Sequence, residues 1–181
     1  GHTISKPNLA TTYHLTLNPE NRNQYEMDGE WRDFERRRAR INVHLWGPFS
    51  WTLRCTVLST VHGPAIRYGK RHGTALSFAG YGEIRQIEQW YRMNKATNFD
   101  EFKTAMRTLG LLSLNTVYAD KDGNLFYAYT GRFPKRTDEW EWGGSAPGNS
   151  SKYLWEKAPY SFDELPHVQN PPCGFIQNCN S

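Results

Sequence analysis

The 181 residues are 38% hydrophobic and 22% charged, enough length and apolar content for one domain with its own core. No apolar run approaches the roughly 20 residues that cross a bilayer, so no membrane span is expected. The net charge of +4 gathers at Arg36 to Arg40 and Arg67 to Arg71. Because Ile41, Val43 and Leu45 continue the first cluster in period two, a solvated strand face reads better there than a nucleic-acid patch.

Residues 10–17 alternate through Tyr13, Leu15 and Leu17 and predict a strand that Asn18-Pro19 breaks. Tyr25 to Phe34 reads as a hairpin turning at Asp28-Gly29. Two long strands are expected at about 36–46 and 50–61, parted by Gly47-Pro48, and His62-Gly63-Pro64 opens another. Between Glu83 and Ala96, Ile84, Ile87, Trp90 and Tyr91 fall at helical spacing. A second helix is expected from Asn98, a cap with Glu101 three residues on. Its stripe is Phe99, Phe102, Met106 and Leu109, and Gly110 ends it. Strands resume at 115–120 and 124–130 around Lys121-Asp122-Gly123-Asn124. Residues 132–160, rich in Pro, Gly, Ser and Trp, read as a long surface loop. A Pro-Pro-Cys-Gly turn then leads to a last strand, which would present Asn178 and Asn180 on one face.

No Gly-x-Ser-x-Gly elbow, His-Glu-x-x-His or phosphate loop is present. The three cysteines have no Cys-x-x-Cys pairing, so no zinc site is expected. His62 reads as a turn-stabilising residue, and Asp120 and Asp122 as turn formers. Trp90 suits either a core or a pocket wall. Paired amides at the chain end suit an oxygen that gains charge, because a side-chain N–H on a rigid element is a good oxyanion donor.

Several segments together carry a resemblance. They are Gly1-His2-Thr3, Thr12 to Pro19, Gln24-Tyr25 through Trp31, and His62-Gly63-Pro64. Further along come Gln89 to Ala96, Asn115 to Asp120 with Gly123-Asn124, and Phe162 to Pro166 leading into Asn170 to Asn180. In this order they resemble the β-subunit of the penicillin acylase family of N-terminal-nucleophile hydrolases, nearest to its acyl-homoserine lactone and lipopeptide acylases.

The resemblance implies an α+β fold, part of the αββα N-terminal-nucleophile hydrolase fold, antiparallel and β-rich with two central helices. It implies hydrolysis of the amide between an acyl chain and an amine. The nucleophile would be a Ser at the start of the β-subunit, with its own α-amino group as base. That amine ordinarily titrates near roughly 8, close to working pH. Asn180 matches the family's oxyanion-hole Asn, with Asn178 and Asn115 as possible support. Trp90 and Leu114, with Ser113 beside it, match acyl-pocket positions. Some long-chain acylases carry a bulky aromatic where Ser113 stands.

Because Gly1 matches a position inside the β-subunit, residues 1–181 are expected to be an internal fragment without its own nucleophile, in one piece with no internal boundary. Its partners would be the upstream β-subunit segment, the α-subunit and a small acyl-amide substrate. No cofactor is implied. Family members with calcium use acidic residues near Asn8-Leu9-Ala10-Thr11, which holds no carboxylate, so no metal is expected there. A periplasmic or secreted bacterial location follows from the resemblance alone. The rival expectation is a non-catalytic module whose Trp140, Trp142 and Trp155 stack on a glycan or peptide.

Overall fold

In the computed structural model, which describes residues 1–178, strands run over His2–Ile4 (β1), Ala10–Thr16 (β2), Gln24–Met27 (β3) and Glu30–Asp33 (β4). They continue over Glu35–Trp46 (β5), Phe49–Thr60 (β6), Gly63–Tyr68 (β7) and His72–Phe78 (β8). Two helices follow, Gln86–Lys95 (α1) and Phe99–Met106 (α2). The remaining strands are Ser113–Ala119 (β9), Leu125–Gly131 (β10), Ala146–Pro147 (β11) and His167–Gln169 (β12). Single 3-10 turns sit at Ser151–Tyr153 and Phe162–Glu164.

Although the sequence marks no internal boundary, the chain packs as two compact units. One comprises Gly1–Leu9, Ala79–Arg136 and the chain from Trp155 on. Its antiparallel sheet has the order β1-β9-β10-β12. Alternation along β10 buries Phe126, Ala128 and Thr130, and the helices cover this face. Phe99 meets Phe126 edge-on at 5.2 Å, and Phe102 lies 4.5 Å from the Tyr118 ring.

The other unit comprises Ala10–Phe78 and Thr137–Leu154. Its sheet has the order β11-β2-β8-β7-β6-β5, in which only β11 runs parallel to its neighbour. Tyr13, Leu15 and Ala75 lie fully inside, packed with Leu17, Tyr25 and Met27. The β3–β4 hairpin turns at Asp28 and Gly29, both at positive φ.

Several expectations change. The α2 cap forms, with Asn98 Oδ1 accepting from the Glu101 N–H, but the Glu101 carboxylate reaches back to the Thr97 N–H and hydroxyl rather than to the Asn98 N–H. After α2 the left-handed turn is made by Leu109, φ +48°, not by Gly110. A Cβ on Gly110 would stand 2.9 Å from the Arg85 carbonyl, so that glycine serves a close backbone approach instead. The stretch 132–160 holds β11 and a 3-10 turn rather than loop throughout. The last strand among the described residues is β12, and the strand expected to carry Asn178 and Asn180 lies partly outside them. Asn170 ends β12 at φ +47°, and its amide oxygen accepts from the Leu125 N–H. The expected Pro-Pro-Cys-Gly turn then closes through the Gly174 N–H and the Pro171 carbonyl, and the described chain after it is irregular.

Candidate functional site

In the first unit, α1 and the start of β9 bring Trp90, Ser113 and Leu114 to one concavity of about 330 Å³. That volume lies at the lower end of small-ligand sites. Ile4, Ser5, Pro7 and Leu9 form one wall, and Leu111, Leu112 and Gln86 complete the lining. Antiparallel pairing sets Ile4 opposite Leu114, which holds the amino-terminal segment beside β9. Trp90 is half-buried and meets the His2 ring edge-on at 4.7 Å. Burial lowers the His2 pKa, and Thr116 Oγ1 lies 3.3 Å from its Nδ1. Ser113 Oγ donates to the Ser5 carbonyl at 2.9 Å and lies 2.6 Å from Ser5 Oγ. Among the described residues neither hydroxyl bonds a base, so neither is an activated nucleophile.

Gln89 holds the wall in place; it opens the Gln89 to Ala96 segment of the resemblance, but no spacing or motif marks this role. Its side chain is 1% exposed. Oε1 accepts from the Gly110 N–H at 2.7 Å and the Leu111 N–H at 3.0 Å. Those donors open the loop that carries the wall, and their burial makes the acceptor necessary. The same loop lies close on β10: a Cβ on Gly131 would stand 2.2 Å from the Leu112 carbonyl oxygen. Below it Glu83, 5% exposed, joins Arg85 and Arg132 at 2.6 and 3.0 Å. The paired Arg85 guanidinium is the main cause that lowers the Glu83 pKa to about 2.

Asn115 and Asn178 converge on Thr3 rather than on the concavity. Both Nδ2 groups donate to Thr3 Oγ1, and Asn115 Oδ1 accepts from the Tyr127 hydroxyl at 2.9 Å. Asn115 thereby ties β1, β9 and β10. Asn180 lies outside the described residues.

His62, in the other unit, is a turn residue: it is 4% exposed, its ring lies tilted 4.4 Å from that of Tyr13, and its Nδ1 lies 3.2 Å from Thr60 Oγ1. Trp140 and Trp142 pack against that unit's core, and the Arg136 guanidinium lies 4.8 Å from the Trp155 ring in the first unit. The three indoles are half-buried, unlike the exposed platform that a stacking module needs. No group of three His, Cys, Asp or Glu among the described residues could hold a metal. In the Asn8 to Thr11 segment, near which the resemblance implies acidic ligands in members with calcium, Arg136 donates to the Asn8 carbonyl at 2.7 Å. A guanidinium on that oxygen does not fit a cation.

A protein-family profile described as penicillin amidase matches residues 1–181. Penicillin G acylase of Escherichia coli is 31% identical over 168 residues, covering 91% of this chain and 19% of that protein. Acyl-homoserine lactone acylase QuiP of Pseudomonas fluorescens is 29% identical over 163 residues, with 86% and 19% covered. Among solved structures, a thermostable penicillin G acylase from Alcaligenes faecalis superposes with a TM-score of 0.81 at 29% identity. That match covers all of this chain and 32% of the other. The chain thus spans about a fifth of the length of these curated relatives. The β-rich antiparallel fold with two helices, expected as part of an N-terminal-nucleophile hydrolase, is the fold found.

Proposed function

The chain belongs to the penicillin amidase family, and from that premise we propose that it forms part of an acylase that cleaves the amide between an acyl chain and an amine. The leaving amine would be a homoserine lactone, a β-lactam nucleus or a cyclic peptide. The observation that carries this reading is the convergence of Trp90, Ser113 and Leu114 on one apolar concavity. In this role the concavity receives the acyl chain and removes its apolar surface from water. Asn180 donates to the oxyanion of the tetrahedral intermediate, with Asn178, which donates to Thr3 Oγ1, in support.

The nucleophile, its α-amino base and the backbone oxyanion donors belong to an upstream β-subunit segment, and an α-subunit completes the enzyme. The coverage of about a fifth of each curated relative supports this division. A periplasmic or secreted bacterial location is part of the proposal; no helix among the described residues is long and apolar enough to cross a membrane.

The test is made in the longer parent protein. Asn180→Ala should lower kcat roughly a hundredfold, about 3 kcal/mol of transition-state stabilisation, with unchanged circular dichroism. Trp90→Ala should raise KM for acyl substrates. Unchanged kcat in the first variant rejects the oxyanion role, and unchanged KM across acyl groups in the second rejects the pocket. The 181 residues alone should not hydrolyse an acyl-homoserine lactone or a chromogenic anilide, and turnover by them would contradict the division of labour.

A further inference from the structure

The outer part of the β5–β6 ribbon is bare on every side. Every residue from Arg40 to Arg54 is exposed. The register sets Ile41 opposite Leu53 and Val43 opposite Trp51, so these four share one face, and Trp46 and Phe49 meet at the tip, 5.6 Å apart. Exposures of 49% for Ile41, 59% for Trp51 and 68% for Trp46 leave a continuous apolar surface in water. Such a surface marks an interaction site.

The opposite face is basic. Arg36, Arg38, Arg40 and Arg54 lie on it, and Arg40 stands directly across from Arg54, a destabilising like-charge pair. None of the four has a carboxylate partner among the described residues. A recess of about 340 Å³ opens among Arg38, Arg40, Arg54 and Thr56. The only carboxylate on either strand is Glu35.

The edges are open as well. β5 ends the sheet, and β6 pairs with β7 only from Leu58 to Thr60. An isolated two-stranded ribbon is marginal in water, and a long open edge invites another strand.

We propose that this ribbon is a docking element for the polypeptide that lies outside these 181 residues in the parent acylase. That polypeptide packs apolar side chains on the Ile41–Trp51 face and sets carboxylates against Arg38, Arg40 and Arg54. The inference rests on the reading of the chain as part of a longer acylase, and the four-fifths of each curated relative's length left unmatched is ample polypeptide for the task. Lipid would leave the open backbone edges without partners. A second copy would bring arginine against arginine.

The test is hydroxyl-radical footprinting of the intact parent acylase, read by mass spectrometry. Trp46 and Trp51 should oxidise at least tenfold more slowly than in a synthetic peptide of residues 35–60. In the parent carrying Arg40→Lys, which keeps the charge, a carbodiimide should cross-link Lys to an Asp or Glu outside the 181 residues. Oxidation within twofold of the peptide overturns the proposal. So does protection that appears only with anionic vesicles or vanishes on diluting a dimer, or a cross-link found only within the 181 residues. A native product with an intact mass of 21.0 kDa would reject the longer-acylase reading itself, whereas a longer product with unprotected tryptophans rejects the docking alone.

Discussion

At the scale of single residues, two buried polar side chains set conditions on the fold. Gln89 serves two buried backbone donors with one oxygen. Gln89→Leu keeps the volume and removes the acceptor, so stability in urea denaturation should fall by about 2 kcal/mol. A loss below about 0.5 kcal/mol would mean that packing, not acceptance, is the role of Gln89. His62 makes a pH-dependent contribution. Burial lowers its pKa from 6.5 to about 4, and its Nε2 is buried with no hydrogen-bond partner among the described residues. The unfolded chain therefore binds a proton that the folded chain refuses. The contribution is fully present above pH 6.5 and is lost as pH falls toward 4. From this group alone, stability should be about 2 kcal/mol lower at pH 5 than at pH 7. His62→Gln should remove that slope, as urea titrations at the two pH values would report.

At the scale of elements, period-two alternation made the strands legible. Tyr13, Leu15 and Leu17 are buried in register, as are Phe99, Phe102, Met106 and Leu109 along α2 and its end. Short strands were not legible, because β1 and β12 span three residues each and gain their identity from neighbours on the sheet. α1 shows a different limit. Its spacing correctly marks a helix, yet Ile84, Ile87 and Tyr91 lie outward at 88%, 82% and 63% exposure while Gln89 and Met93 face in. Periodicity reports a face without saying what covers it. The pocket positions Trp90, Ser113 and Leu114 came from the family resemblance; spacing alone gave no means of seeing Gln89 or Gly131, whose roles depend on the loop brought against them. Glu83 links the entry of α1 to Arg132 just after β10. Glu83→Gln leaves two guanidinium groups facing a neutral amide and should lower stability by about 2 kcal/mol in the same urea assay. Its pKa of about 2 means the carboxylate's contribution is present above pH 4.5 and lost as pH falls toward 2.

At the scale of the whole molecule, an apolar concavity, an asparagine network on Thr3 and a bare amphipathic ribbon all fit the proposal that the chain contributes part of an acylase and packs against the rest. On the proposed reading the concavity decides which acyl groups enter, and Ser113 is a small residue on its lining whose enlargement should change that choice. The decisive measurement is kcat/KM of the parent enzyme and its Ser113→Phe variant across amides with acyl groups from acetyl to long chains, with Ser113→Ala reporting the loss of the Ser5 hydrogen bonds alone. With the acyl chain in this concavity, Ser113→Phe lowers kcat/KM for the bulkiest acyl groups at least tenfold and for acetyl less than threefold, while Ser113→Ala leaves the profile in place. A uniform change across the series, or none, would contradict the placement of the acyl chain beside Trp90, Ser113 and Leu114.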